Sequence, residues 1–132
     1  MQTYFGTIIM SLTVLVIEDS FDNMMIASMI LESNGYTVLQ AENGIDGYNM
    51  TLEHQPDVVI MDYHLPGING LEVTRMIKAD DAIRDIPIIA LTADIYAKKD
   101  LLDAGCAIYL IKPIRKGSLL RTIKQVSTVH TT

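Results

Sequence analysis

Apolar residues in this chain come in short unbroken runs. Val14, Leu15, Val16 and Ile17 form one, and residues 58–61, 88–91 and 108–111 form three more. Apolar runs of about four to eight residues, separated by amphipathic segments, are what parallel strands buried on both faces look like. Strands are therefore predicted over 12–17, 57–61, 88–91 and 108–111, with a shorter one over 37–40. Pro87 suits a strand start, where a missing N–H donor is tolerated. Helices are predicted between the strands. The first covers 22–33, capped by Ser20 or Asp22 and ended by Asn34-Gly35. The second is opened by Asn43-Gly44 and runs to His54, before Gln55-Pro56 breaks the chain. A third covers 71–78 after the loop 63–70, a short fourth covers 97–104 and stops at Gly105, and the last covers 116–126. Strands alternating with helices make an α/β fold: a doubly wound, five-stranded parallel sheet with five helices, placed on both faces by right-handed crossovers.

Ligands of such sheets bind beyond the carboxyl ends of the strands. The residues that follow the four apolar runs there are Glu18-Asp19, Asp62, Thr92 and Lys112. Three carboxylates, a hydroxyl and an ammonium thus converge on one rim. An oxygen-rich, negative pocket suits Mg²⁺, which takes one or two carboxylates together with waters and phosphate oxygens. With the ion absorbing charge, Asp62 can attack phosphorus while Thr92 and Lys112 hold the transferred oxygens, giving an aspartyl phosphate.

Composition narrows the function classes. With 132 residues, 49% of them hydrophobic, the chain can build one compact core. Sixteen acidic against ten basic side chains give a net charge of −6 without a cluster of Lys or Arg. That excludes direct nucleic-acid binding as the main role, since phosphate neutralisation supplies most of such affinity. Cys106 is the single cysteine; it can form neither an internal disulfide nor a zinc site, so a packing role in a cytoplasmic protein is expected. The apolar N-terminus lacks a basic n-region, is broken by Thr3, Thr7, Ser11 and Thr13, and is not read as a signal sequence. No apolar stretch is long enough to span a bilayer. Met10 is a second possible start, so residues 1–11 are set apart as an extension, native or a cloning remnant, and 12–128 as the domain. After Lys112 the final helix uses up the chain, so signalling by protein contact is expected.

These motifs resemble a known family. Val16-Ile17-Glu18-Asp19-Ser20, Met61-Asp62 with Leu65-Pro66-Gly67 and Asn69-Gly70-Leu71-Glu72, Leu91-Thr92-Ala93, Ala104-Gly105 and Lys112-Pro113-Ile114 are together similar to the receiver domain of two-component response regulators, in its stand-alone type. The resemblance covers nearly all of 12–126 and implies a flavodoxin-like fold. It implies Asp62 as phosphoacceptor, phosphorylated with Mg²⁺ from a phosphohistidine on a histidine kinase or histidine phosphotransfer protein. It implies Glu18, Asp19 and Asp62 as metal ligands, joined by the backbone carbonyl of His64, and Lys112 as the phosphate-binding lysine. Thr92 and Tyr109 match the switch pair, Lys112-Pro113 matches a bond that is typically cis, and His64 and Asp94 border the path of the hydrolytic water. Four departures stand out: Glu18 where Asp is common, Gly47 where Ala is usual, Asn69 where Asp is frequent, and a stretch from Thr92 to Gly105 about two residues short.

The first helix carries more apolar residues than a core-facing stripe of about 100° needs. Met24, Met25 and Met29, with Ile114, are the expected partner surface, since flexible thioethers suit a face that adapts to partners. His54, His64 and His130 are too scattered to form a ligand set. The output is expected to be a protein target, the chain a monomer or weak dimer, and its only catalysis its own phosphorylation and dephosphorylation. Two other readings stay open: a metal-dependent phosphatase of the haloacid-dehalogenase type, which needs an acid where His64 stands, and a receiver excised from a hybrid histidine kinase.

Overall fold

The structure, a computed structural model, describes residues 11–130, with side chains described through residue 127. Ser11 apart, the expected N-terminal extension lies outside the described residues, as does the side chain of His130. Five strands, β1 (Thr13–Ile17), β2 (Thr37–Ala41), β3 (Val58–Asp62), β4 (Ile88–Thr92) and β5 (Ile108–Ile111), form one parallel sheet in the order β2-β1-β3-β4-β5. Between them run α1 (Phe21–Glu32), α2 (Gly44–His54), α3 (Gly70–Lys78), α4 (Lys98–Ala104) and, last, α5 (Lys116–His130); a 3₁₀ turn at Ile95–Ala97 precedes α4.

Alternate strand residues feed two cores. Leu15, Ile17, Val59, Met61, Ile88 and Ala90 face α2, α3 and α4, while Val14, Val16, Val58, Ile60, Ile89 and Leu91 face α1 and α5. All twelve are essentially inaccessible, and each large aliphatic side chain so buried contributes about 1.5–3 kcal/mol. The expectation of strands covered on both faces fails at the edges. β2 and β5, each with one strand neighbour, are half-exposed along most of their length. Ile111, the last residue of the edge strand β5, is 44% exposed.

Boundaries moved where caps decided them. Ser20, not Asp22, caps α1, its hydroxyl accepting Asn23 N–H. Asn69 and Glu72 close a reciprocal capping box that starts α3 at Gly70 rather than Leu71. Asp94 caps the 3₁₀ turn that the sequence did not reveal. β3 runs one residue beyond the expected end, so Asp62 is its last residue.

Candidate functional site

The strand order reverses direction at β1, and the carboxyl ends of β1 and β3 lie side by side there, with Ile17 opposite Met61. Glu18 and Asp19 leave β1 at this point. Glu18 N–H donates to Ala41 O of β2 at 3.0 Å, which fixes its backbone at the rim. Each of Glu18, Asp19 and Asp62 offers a carboxylate oxygen within 4.8 Å of the others. Glu18 and Asp62 are buried and Asp19 is exposed.

Lys112, just past β5, supplies the counter-charge. Its Nζ lies 3.0 Å from Asp62 Oδ1 and 3.6 Å from Glu18 Oε1. Asp62 Oδ1 also accepts the His64 N–H at 3.4 Å. Glu18 Oε2 accepts Ser20 N–H at 3.1 Å, whereas Oε1 is buried without a hydrogen-bond partner. Burial is the main cause that pushes the Glu18 carboxyl above its usual range; the Asp62 carboxylate adds to it, and Ser20 N–H and Lys112 oppose it. Three carboxylates against one ammonium leave the pocket negative, and an orphaned carboxylate oxygen faces it. Those donors fit a hard divalent cation such as Mg²⁺.

Thr92 ends β4 fully buried, and its hydroxyl accepts Asp94 N–H at 2.9 Å. Asp94 Oδ1 is itself taken by Tyr96 N–H at 2.8 Å. Tyr109 is half-buried against the α2–α4 core, and Lys98 Nζ stands 5.1 Å from its ring centre. The Lys112-Pro113 peptide bond is cis. His64 is exposed at the rim, its ring edge-on to Tyr63.

Two positioning residues were not anticipated. Ser20 holds Glu18 through its backbone while capping α1. Gly70 lets the loop after Asp62 fold back tightly: a Cβ there would stand 2.7 Å from Asp62 O and 2.9 Å from Tyr63 Cα, and Gly70 N–H donates to Tyr63 O at 2.8 Å. The sequence signal for the second was present in Asn69-Gly70, but only the structure shows which backbone it admits.

The partner surface needs correction. Met24 is 7% exposed and sits in the α1–α5 core, because the inward face of α1 is set by Met24, Ala27 and Leu31. Ile114 is half-buried against the same core. Met25 and Met29 are exposed, and Phe21, one turn before Met25, extends their stripe.

Residues 14–124 match the family described as the response regulator receiver domain. The chain belongs to that family. Among relatives of this receiver domain, the polar-differentiation response regulator DivK of Brucella anthropi is 38% identical over 116 residues, which cover 85% of this chain and 93% of the relative. The receiver domain of the sensor histidine kinase PA1611 from Pseudomonas aeruginosa, solved with a magnesium ion coordinated in its active-site cleft, superposes with a TM-score of 0.84 at 31% identity, over 90% of this chain and 99% of that one. The co-crystal of the Saccharomyces cerevisiae phosphotransfer protein Ypd1 with the receiver domain of its response regulator Ssk1 matches with a TM-score of 0.84 at 25% identity, over 92% of each chain. The comparisons thus agree on a response regulator receiver domain similar to DivK, and the phosphatase alternative finds no support. Among the described residues no helix is long and apolar enough to cross a membrane.

Proposed function

We propose that this receiver domain accepts a phosphoryl group on Asp62 from a phosphohistidine of a histidine kinase or phosphotransfer protein. The observation that carries the reading is the convergence of Glu18, Asp19 and Lys112 on the Asp62 carboxylate. In the reaction a carboxylate oxygen of Asp62 forms a bond to phosphorus as the P–N bond breaks, and the imidazole leaves with a proton from water. Lys112 and the His64 N–H hold Asp62 Oδ1, so the carboxylate is oriented before the donor arrives. Glu18, Asp19, Asp62 and the carbonyl of His64 would hold Mg²⁺, which when bound neutralises charge on the phosphoryl oxygens.

Lys112 then follows the new phosphoryl charge. Thr92, whose hydroxyl donates to Asp94 O at 3.4 Å, must redirect that O–H to reach a phosphoryl oxygen, which loosens its hold on the residue that caps the 3₁₀ turn. Tyr109, beside that turn, completes the switch, and His64 and Asp94 set how water reaches the acyl phosphate. Met25 and Met29 contribute to donor contact. The domain acts as a cytoplasmic monomer or weak dimer, contacts a protein target, and turns over no external substrate.

The test pairs two assays. Label should pass from a phosphorylated phosphotransfer protein to the wild type in the presence of Mg²⁺, while an external phosphomonoester is not hydrolysed. Steady turnover of the ester without stoichiometric labelling would overturn the proposal in favour of a phosphatase.

A further inference from the structure

The segment between β4 and β5 places two adjacent lysines in different settings. Ala97 and Leu101 are buried and anchor the segment in the α2–α4 core, while Lys98 and Lys99 at the start of α4 are exposed. Lys99 Nζ pairs with Asp103 at 2.7 Å, one turn further along the helix. Lys98 Nζ instead stands over the face of the Tyr109 ring, 5.1 Å from its centre. Among the described residues Lys98 makes no ion pair. The distance lies within the about 6 Å over which the negative face of an aromatic ring attracts a cation.

Strand register shows what else borders this ring. Tyr109 is paired with Ala90 and Ile111 with Thr92 across β4 and β5. Side chains two residues apart on a strand share a face, so Thr92 and Tyr109 stand diagonally on the same face of the sheet. Ala90 between them is only a methyl group. The ring is therefore bordered by Thr92 toward the rim and held by the Lys98 cation at the start of α4.

Resting on the reading of Thr92 and Tyr109 as the switch pair, we infer that Lys98 is a positioning residue for Tyr109: its cation holds the ring in the unphosphorylated arrangement, and phosphorylation separates the two. A contact made in only one of two states biases their equilibrium by its own strength. At an exposed position, a cation over a ring is strong enough to shift such an equilibrium about two- to fivefold. Lys98 thus opposes the switch, and by reciprocity a phosphoryl group or its mimic binds more weakly while the contact is intact. This sign is opposite to that of simple charge attraction, since a cation removed from the neighbourhood of an anion site would weaken anion binding. The contact also ties the first residue of α4 to β5, so its loss frees the start of that helix.

The experiment compares the full chain with Lys98→Met, which keeps the apolar stem and removes the charge, and with Lys98→Arg, which keeps a cation. Each is titrated with beryllofluoride, a stable stand-in for the phosphoryl group, in the presence of Mg²⁺. Lys98→Met should bind it about two- to fivefold more tightly than the wild type, and Lys98→Arg should bind it as the wild type does. The ring is followed by fluorine NMR of protein labelled with 3-fluorotyrosine, the Tyr109 resonance being assigned by its absence from Tyr109→Phe. In unliganded Lys98→Met that resonance should move toward its position in the beryllofluoride-bound wild type. A double-mutant cycle isolates the contact: with Tyr109→Leu in place, Lys98→Met should leave the affinity unchanged. Weaker or equal binding by Lys98→Met, or the same gain in the Tyr109→Leu background, would overturn the inference while leaving Asp62 chemistry intact. A Tyr109 resonance that beryllofluoride does not move in the wild type would remove the switch reading on which the inference rests.

Discussion

Glu18 sits 2% exposed beside two other carboxylates, and Lys112 is the ammonium that faces it. These two residues should respond to substitution with opposite signs. In metal-free buffer at neutral pH, Glu18→Gln removes a buried like charge while Lys112 keeps Asp62 at 3.0 Å. Its melting temperature should rise by about 4 °C, the shift that about 1 kcal/mol gives in a domain of this size class, and added Mg²⁺ should stabilise it less than the wild type. Lys112→Ala leaves Asp62 and Glu18 buried without their counter-ion. It should be destabilised, by less than the about 3–5 kcal/mol of a fully buried pair because solvent reaches the lysine, and Mg²⁺ should restore part of the loss. Scanning calorimetry with and without Mg²⁺ checks both; shifts of the same sign would contradict the electrostatic account. Cys106 is a third case. It is buried, and burial pushes its thiol above the usual range despite Thr74 and Lys78 nearby, so a thiol reagent should label it only on unfolding.

Two elements show how departures from the family pattern are absorbed. Gly47 lets α2 approach β1 closely: a Cβ there would stand 2.4 Å from Ile17 Cδ1 and 2.8 Å from Cγ1. Gly47 is thus paired with the bulk of Ile17, a relation between residues far apart in sequence that no local pattern reveals. Gly47→Ala should cost about 1–3 kcal/mol by overpacking, and adding Ile17→Val should recover part of it; additive losses in denaturant titrations would refute the pairing. The short stretch from Thr92 to Gly105 is accommodated by the 3₁₀ turn and a seven-residue α4. Because Asp94 caps that turn, Asp94→Ala should lose about 0.5–2 kcal/mol while Asp94→Asn stays near the wild type. Equal losses would show that the cap contributes nothing.

At the scale of the whole molecule, the sheet was legible because β1, β3 and β4 are covered on both faces, and such strands read as unbroken apolar runs. The rim was legible for the same reason: each run ends where its chemistry begins, so Glu18, Asp19, Asp62, Thr92 and Lys112 could be placed together before any coordinates. Edge exposure was not legible, since β5 is as apolar in sequence as β4 and only strand order tells them apart. Nor was the orientation of α1, where apolar residues on nearly every side leave Met24 and Met25 indistinguishable until packing assigns one inward and one outward. The central claim, that this convergence makes Asp62 the phosphoacceptor, is tested most directly by incubating wild type and Asp62→Asn with acetyl phosphate, with and without Mg²⁺, and weighing the intact protein. The account predicts the added mass of one phosphoryl group on the wild type only when Mg²⁺ is present, and none on Asp62→Asn. The same gain on the variant, or a gain on the wild type that ignores Mg²⁺, would contradict it.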